Sequence, residues 1–274
     1  MDTGSDSTNG GISTVIANHN YGRYLSEAVD SAVAEGAHVV VVDDGSTEPL
    51  PDLPPDVELV RQENQGVARA RNAGLARVRT PYVLFLDADD RIVPGALSLL
   101  REPLDADPKL GFAYGRMRFF GDWEGELRFP PYDPYALLYR HTIGLSALVR
   151  RQLLEDTGGF DPAFGQFEDW ELWVNALAHG WRGRQVKAVT VDYRRHPGSK
   201  HGVDRRVYRQ AYSQLRAKHA DLYRDSERLS AESSLGPVGR LVHRSFWGPR
   251  PIPASVEQRL YGLLWHRKDA RVDR

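Results

Sequence analysis

The residues with the clearest chemical potential are two carboxylates that directly follow an apolar run. Tyr82 to Leu86 contains no polar break, and Asp87, Ala88 and Asp89 come next. Such a run indicates a strand covered on both faces, and in parallel sheets ligands bind beyond the carboxyl ends of the strands. Because side chains alternate along an extended chain, Asp87 and Asp89 are expected on one side. Their oxygens would suit Mg²⁺ or Mn²⁺ carrying phosphate, although a solvated turn also explains so short a pattern.

A second apolar run ends in the same way. His38 to Val42 is rich in β-branched residues and is followed by Asp43, Asp44, Gly45 and Ser46. Two strands that both finish in paired carboxylates make a coincidental turn a weaker explanation for either pair.

The elements around these runs predict an α/β fold. Strands are expected over Ile12–Ala17 and Val57–Arg61, and helices over Arg23–Ala34 and Asn64–Arg79. Alternation of strand and helix favours a doubly wound, mostly parallel central sheet with helices on both faces. Further strands are predicted over Leu110–Phe120, Ile143–Val149 and Val186–Tyr193, and further helices over Pro94–Arg101, from Phe167 and over Val203–Tyr223.

Composition sets limits on the class of protein. The chain has 274 residues, 41% hydrophobic and 27% charged, and a formal net charge of −1, which gives no argument for nucleic acid as a partner. Without cysteine, disulfides and thiolate chemistry are excluded. Residues 1–10 are polar and unlike a signal peptide, and no apolar segment approaches the roughly 18 to 20 residues that cross a bilayer. We therefore expect a flexible N-terminus and a cytoplasmic location, with the inner face of the membrane as an option.

The last quarter of the chain differs in character. From Val203 onward there are 15 Lys and Arg against 8 Asp and Glu. We expect residues 11–202 to form one α/β domain and residues 203–274 to form a basic helical extension. The extension would either pack as an appendage, on the domain or across a homodimer, or lie peripherally on anionic lipid. A stripe of Val256, Leu260, Leu263 and Leu264 is its final apolar feature.

Seven segments, in the same order, resemble the family 2 glycosyltransferases, which have the GT-A fold. They are Ile12–Tyr21, Val39–Thr47, Asn64–Gly74, Leu84–Asp90, Gly158–Asp161, Glu168–Trp173 and Tyr193–Ser199. Each is weak alone, but together they cover roughly residues 12 to 200. The resemblance implies that residues 11–202 are the catalytic domain, with a nucleotide-sugar-binding half over about residues 11–110 and an acceptor and catalytic-base half over residues 111–202. The first departs from the family pattern, because Ala17-Asn18-His19-Asn20 stands where Pro-Thr-Tyr-Asn is usual, in a loop that touches the nucleotide.

The resemblance implies a divalent metal, Mn²⁺ or Mg²⁺, on the diphosphate of a nucleotide sugar. By resemblance Asp89 is a metal ligand, and Asp87 lies near the ribose and the metal with Ala88 between them. His196 would add a metal or diphosphate contact, although a histidine after a strand can equally be a solvated or capping residue.

The resemblance also assigns the nucleotide pocket. Asp44 resembles the carboxylate that accepts a hydrogen bond from the imide N–H of uracil or thymine, and guanine could donate to it as well. Arg71 would meet a phosphate or hold Asp44 in position. Asn20 and Tyr21 would line the base pocket.

For the general base the resemblance favours Asp169 over its neighbour Glu168. An inverting transfer needs a carboxylate that takes the proton from the acceptor hydroxyl, and a helix start favours the ionised form. Among acceptor contacts, Trp123 is a better candidate than Trp170, whose helical spacing favours core packing. The loop from Gly121 to Asp133 around Trp123 would also serve as a lid.

These features predict an inverting glycosyltransferase, with a UDP-sugar or dTDP-sugar donor, that acts on a hydroxyl acceptor in glycan or natural-product biosynthesis. A nucleotidyltransferase of related architecture would need a glycine-rich phosphate loop after the first strand, and Asn18 to Gly22 does not supply one. A nucleotide-sugar-binding protein without turnover is the non-enzymatic alternative, against which the retention of Asp87, Asp89, Asp169 and His196 argues.

Overall fold

The computed structural model of the chain describes residues 11–197 and 205–249, together with residues 256 and 259. The predicted flexible start, the residues around Ser199 and the stripe at Leu260, Leu263 and Leu264 lie outside the described residues. The strands are β1 Ile12–Asn18, β2 His38–Asp44, β3 Glu58–Gln62, β4 Tyr82–Asp87, β5 Arg91–Ile92, β6 Leu110–Gly121, β7 Gly125–Leu127, β8 Ala147–Arg150 and β9 Arg182–Arg195. The helices are α1 Gly22–Ala34, α2 Val67–Leu75, α3 Ala96–Ala106, α4 Pro134–Tyr139, α5 Arg151–Thr157, α6 Glu168–Ala178, α7 Arg205–Lys218, α8 Ala220–Arg224, α9 Ser226–Glu232 and α10 Pro237–Val242.

The strands form one mixed sheet in the order β3-β2-β1-β4-β8-β6-β9-β5, with β7 paired to β6. The pairs β1/β2, β1/β4, β2/β3 and β6/β9 are parallel, and β8 is antiparallel to both of its neighbours. The predicted α/β class is confirmed. The parallel half brings the ends of β1, β2 and β4 to one edge, as the apolar runs required.

Both faces of the parallel strands are covered, which explains their uninterrupted apolar sequences. On one face Ile16, Val41 and Leu84 pack with helices α1 and α3 in a single buried cluster. On the other face Phe85 meets Phe160 edge to face, with ring centroids 4.7 Å apart. Neither helix layer could form if the strands alternated polar and apolar residues.

Gly74 sets how closely helix α2 approaches the sheet. A Cβ atom at this position would lie 2.4 Å from Cγ1 of Val15 and 3.1 Å from Cγ2 of Val42. Only glycine allows this approach without a shift of the strands. The C-terminal part of α2 is thereby held close to β1 and β2.

Several element boundaries differ from the predictions. Helix α2 spans only Val67–Leu75, because residues 64–66 form a turn with Gly66 at φ +89°. The predicted loop from Gly121 contains strand β7, which makes a hairpin with β6. The predicted helix over Val203–Tyr223 is divided into α7 and α8, with His219 between them.

The chain separates into two compact units. The first contains the described residues 11–129 and 143–197, and the second contains residues 130–142 and 205–249. The segment 130–142, predicted within the catalytic domain, thus groups with the C-terminal helices. Asp133 shows why: its carboxylate caps α4 and accepts hydrogen bonds from Ser233 and Ser234. Within the described residues no helix is long and apolar enough to span a membrane.

Candidate active site

Three carboxylates stand at and just beyond the end of β4. Asp87 is the last residue of the strand and its side chain is 40% exposed, whereas Asp90 is buried. Burial raises the pKa of Asp89, and the charge of Asp87 raises it further, against the hydrogen bond from His196. Burial also raises the pKa of Asp90 well above its usual value, with Asp87 and Asp89 adding to the effect. The like charges therefore oppose one another's ionisation, as crowded carboxylates do.

His196 reaches this group from the end of β9. Its Nε2 lies 3.1 Å from Oδ2 of Asp89, although the two residues are 107 positions apart in the sequence. The imidazole packs against two aromatic rings, Tyr21 at 5.7 Å and Tyr24 at 5.2 Å between centroids. Tyr21, predicted in the base pocket, thus contacts the Asp89–His196 pair, and Ala88 is buried beside it.

Arg71 links the end of β4 to the start of α6. Its guanidinium is buried, donates to Oδ1 of Asp87 at 2.7 Å and makes a second ion pair with Oε1 of Glu168. Burial lowers the pKa of Arg71, but the charges of Asp87 and Glu168 outweigh that effect and raise it. The predicted alternative in which Arg71 holds Asp44 is not what the structure contains.

Glu168 and Asp169, the first two residues of α6, have different surroundings. Burial raises the pKa of Glu168, which the ion pair with Arg71 opposes. Oε2 of Glu168 is buried and has no hydrogen-bond partner in the described part of the chain. Asp169 is largely buried, and its Oδ1 accepts a hydrogen bond from the backbone N–H of Trp170 at 2.8 Å.

Asp44, at the end of β2, is held by the chain itself. Its Oδ1 accepts from the side chain of Gln62 at 2.7 Å and from the backbone N–H of Gln65 at 2.9 Å. Its Oδ2 accepts from the backbone N–H of Gly66 at 2.9 Å. Three donors of the chain therefore meet a carboxylate that was predicted to recognise the base.

Two asparagines of the β1–α1 loop organise the neighbouring loop. Asn18 donates to Oδ1 of Asp43 at 3.3 Å and to the hydroxyl of Ser46 at 3.1 Å. Asn20, at φ +60°, accepts from the backbone N–H groups of Thr47 and Glu48. The side-chain amide of Asn20 thus serves the loop after β2, a contact that its prediction as a base-pocket residue did not include.

The two tryptophans predicted near the acceptor differ in exposure. Trp170 is fully buried, which favours core packing over an acceptor contact. Trp123 is 45% exposed and stacks on Phe119, with centroids 4.9 Å apart. The guanidinium of Arg195 lies over both rings, 5.4 Å from Phe119 and 5.6 Å from Trp123.

The side chains at the end of β4 suit a divalent cation that is shared with a substrate. Within residues 11–197 and 205–249, no three Asp, Glu or His side chains are gathered into a complete metal-binding group. Asp89 and His196 nevertheless lie next to each other, with Oδ2 and Nε2 3.1 Å apart, and Asp87 uses only Oδ1 on Arg71. Mg²⁺ and similar ions are commonly held by one or two carboxylates together with substrate phosphates. The residues therefore fit the predicted metal.

Sequence reasoning missed several members of this site. Tyr24 and Asp90 were not singled out, yet Tyr24 packs on His196 and Asp90 accepts from the backbone N–H of Arg194 at 2.9 Å. Arg195 and Phe119 were missed as well, since nothing in their spacing predicted that they share Trp123. The signal that could have found Arg195 is its position two residues after Tyr193, which places both side chains on the same side of one strand.

Comparisons with known proteins give the family. Residues 13–158 match the model "Glycosyl transferase family 2", and residues 136–213 match "Glycosyltransferase like family 2". The first match covers more than half of the chain, which therefore belongs to glycosyl transferase family 2.

Similar proteins include bacterial glycosyltransferases. The UDP-Glc:alpha-D-GlcNAc-diphosphoundecaprenol beta-1,3-glucosyltransferase WfaP of Escherichia coli is 28% identical over 69% of this chain and 78% of its own length. The succinoglycan biosynthesis protein ExoO of Rhizobium meliloti is 32% identical over 62% of this chain and 57% of its own. The uncharacterized glycosyltransferase alr2836 of Nostoc is 38% identical, over 36% of this chain and 34% of its own.

Solved structures confirm the GT-A fold. S. aureus TarS 1-349 in complex with UDP-GlcNAc has a TM-score of 0.62 and 17% identity, over 84% of this chain and 69% of its own. The mannosyltransferase PcManGT from Pyrobaculum calidifontis, in complex with GDP-Man and Mn2+, has a TM-score of 0.60 and 21% identity, over 94% of this chain and 81% of its own.

Proposed function

We propose that this protein is an inverting glycosyltransferase that moves a sugar from a nucleoside diphosphate, UDP or dTDP, to a hydroxyl of a glycan acceptor. The observation that carries the proposal is the meeting of Asp89 and His196 at the edge of the sheet, with Asp87 beside them. The relatives support the substrate class, because WfaP is named for a UDP-sugar donor and a diphospholipid-linked sugar acceptor.

Asp89, His196 and Asp87 would hold Mn²⁺ or Mg²⁺ together with the donor diphosphate. The cation, when bound, neutralises the charge that builds up on the departing diphosphate. The mannosyltransferase PcManGT, whose structure is a complex with GDP-Man and Mn2+, supports this part of the proposal. Tyr21 and Tyr24 both pack against the imidazole of His196 and would restrict its orientation.

Asp169 is our general base. The acceptor hydroxyl oxygen bonds to the anomeric carbon as the bond from that carbon to the diphosphate oxygen breaks, and the hydroxyl proton passes to a carboxylate oxygen of Asp169. Glu168 is less suited to accept this proton, because its ion pair with Arg71 favours the carboxylate form. The buried guanidinium of Arg71 pairs with both Asp87 and Glu168. It therefore fixes the position of Asp87, on the donor side, relative to Glu168, which is next to the proposed base.

Asp44 would use its remaining acceptor capacity for the base. Two of its hydrogen bonds are on Oδ1 and one is on Oδ2, which leaves a lone pair of Oδ2 for an imide N–H. This supports uracil or thymine as the base. This chemistry is compatible with an enzyme that acts in solution and with one that contacts a membrane through its basic C-terminal residues.

The test uses wild-type protein, Asp89→Asn and Asp169→Asn. Titration with UDP, dTDP and GDP, each with and without Mn²⁺, should show binding that depends on the metal in the wild type and in Asp169→Asn, but not in Asp89→Asn. With a donor and an acceptor glycan, Asp169→Asn should lose transfer by a factor of about 10² to 10⁴. Near-normal transfer by Asp169→Asn would exclude it as the base, and binding of no nucleotide would exclude the proposed function.

Inversion of configuration at the anomeric carbon is tested by a separate measurement. The anomeric configuration of the new glycosidic bond, read from its proton NMR coupling, should be opposite to that of the donor. Retention of configuration would contradict a single displacement with Asp169 as base.

A further inference from the structure

Most arginines near the β6–β7 hairpin and the end of β9 are paired with carboxylates. Arg118 makes two hydrogen bonds with Asp192, and Arg194 pairs with Glu27 while its Nε donates to the carbonyl of Asp89. Arginines with a carboxylate partner in this region are Arg91, Arg116, Arg118, Arg128 and Arg194. These pairs leave little free positive charge there.

Arg195 is different. Its Nε is buried without a hydrogen-bond partner, and no ion pair joins it to a carboxylate of the described residues. Its guanidinium lies over the rings of Phe119 and Trp123. Contact with ring faces stabilises the charge, but the N–H bonds lie in the guanidinium plane and still need acceptors.

The backbone fixes Arg195 beside the reaction centre. Gly121 pairs with Arg195 in the sheet, and the N–H of Asp122 donates to the Arg195 carbonyl at 2.8 Å. Arg195 directly precedes His196. On the same side of β9, Tyr193 packs edge to face on Phe119 at 5.8 Å, and burial, together with the charges of Asp90, Asp87 and Asp89, raises its pKa to about 12. An aromatic surface therefore leads from the carboxylates to Trp123.

We propose that Trp123, Phe119 and Arg195 form an acceptor subsite for a sugar that carries a phosphate or diphosphate group. The exposed indole face of Trp123 would stack on the C–H face of the pyranose. The guanidinium of Arg195, already desolvated on both ring contacts, would bind the phosphate oxygens through its free N–H donors, a geometry that arginine provides better than lysine. This inference rests on the proposed function and names its acceptor class.

The donor diphosphate is another source of the same chemistry, because Arg195 adjoins His196. The two sources differ in competition: a sugar phosphate bound at the acceptor subsite remains bound when UDP fills the donor site. A sugar phosphate that merely occupies the diphosphate position is displaced by UDP.

The experiment is ligand-observed NMR with the full chain and Mn²⁺, in which UDP is titrated from zero to saturation. The probes are glucose 1-phosphate and N-acetylglucosamine 1-phosphate, each compared with its neutral methyl glycoside. In the wild type we expect the phosphate to tighten binding about tenfold over the neutral sugar. Arg195→Gln should remove that difference, whereas Trp123→Ala should weaken phosphorylated and neutral sugars by a similar factor. Arg128→Gln is the matched control, since its arginine lies in the same region and is already paired with Glu126.

UDP signals in the same samples report the donor site, and circular dichroism checks that each variant is folded. Failure of wild-type protein to bind UDP would overturn the proposed function. UDP binding with no preference for the phosphorylated sugar would overturn the subsite alone. Displacement of the sugar phosphate by UDP, or a loss of UDP affinity in Arg195→Gln, would assign Arg195 to the donor and also overturn the proposal.

Discussion

Strands β2 and β4 both run through the core and both end in carboxylates, but the surroundings of those carboxylates differ. At β2, Asp44 accepts three hydrogen bonds from the chain's own donors. At β4, Asp87, Asp89 and Asp90 lie together, and burial and mutual repulsion raise the pKa values of Asp89 and Asp90. The same sequence pattern thus leads to two outcomes. The hydrogen bonds of Asp44 are made by the chain itself, whereas a bound cation would stabilise the charged form of the crowded carboxylates after β4 and lower their pKa values.

The largest expected effect is functional and falls on β4. Asp89→Asn should lower glycosyl transfer at least about 10³-fold, equivalent to about 4 kcal/mol, because the proposed metal ligand loses its charge. The melting temperature without metal should stay level or rise, because a repulsive charge is removed. Transfer assays and thermal unfolding measure the two effects, with the exposed Asp52→Asn as control. A large loss of stability would show that Asp89 is structural, like Asp44.

The matched change at β2 should act on stability. Asp44→Ala leaves the Gln62 side chain and the N–H groups of Gln65 and Gly66 without their acceptor, at a cost of about 2 to 3 kcal/mol. Chemical denaturation would measure it. Asp44→Asn, which keeps one acceptor oxygen, should cost less. Unchanged stability in Asp44→Ala would remove the distinction between the two strand ends.

His243, in the C-terminal unit, should give the stability a pH dependence of the opposite sign to that of the buried carboxylates after β4. Burial lowers the pKa of His243 to about 4. The unfolded state therefore binds more protons between pH 4 and 6.5, so stability is lost as the pH falls through this window, by about 2 kcal/mol from pH 7 to pH 5. His243→Asn should remove this dependence.

His179→Asn is the control for that measurement. Both histidines receive the same kind of contact, Nδ1 at 2.9 Å from the carbonyl oxygen four residues earlier, but His179 is exposed. Denaturation at a series of pH values should leave the His179→Asn slope like that of the wild type. An equal change of slope in both variants would contradict burial as the cause.

The smallest effect is the pH dependence of the β4 carboxylates without metal. The folded pKa values of Asp89 and Asp90 are raised above the usual 3.8, so above about pH 4 the folded state retains protons that the unfolded state releases. Stability should then fall with rising pH, by no more than about 1.4 kcal/mol per pH unit for each proton. Asp90→Asn should flatten the slope, and added Mn²⁺ should oppose it. A stability that increases with rising pH would show that other groups of the chain already compensate the charges of these carboxylates.

Much of the fold was predictable because the signals are local. The apolar runs of β1, β2 and β4, the helical spacing in α1 and α6, and the carboxylates at strand ends are properties of consecutive residues, and the structure has these elements where the sequence indicated. Strand direction was less accessible. β8 is antiparallel and β7 forms a hairpin, because pairing depends on how distant segments meet.

The sequence by itself determined which residues reach the active edge: Asp44, Asp87, Asp89 and the Glu168–Asp169 pair each follow from a strand end or a helix start. Only the tertiary structure decided their partners. Arg71 could have served Asp44 but pairs with Asp87 and Glu168, Asp44 is held by the turn at Gln65 and Gly66, and Arg195 shares Trp123 instead of binding a carboxylate. The physical reason is range: side-chain direction is set by local backbone geometry, whereas a charge selects its partner among groups that packing brings within a few ångströms.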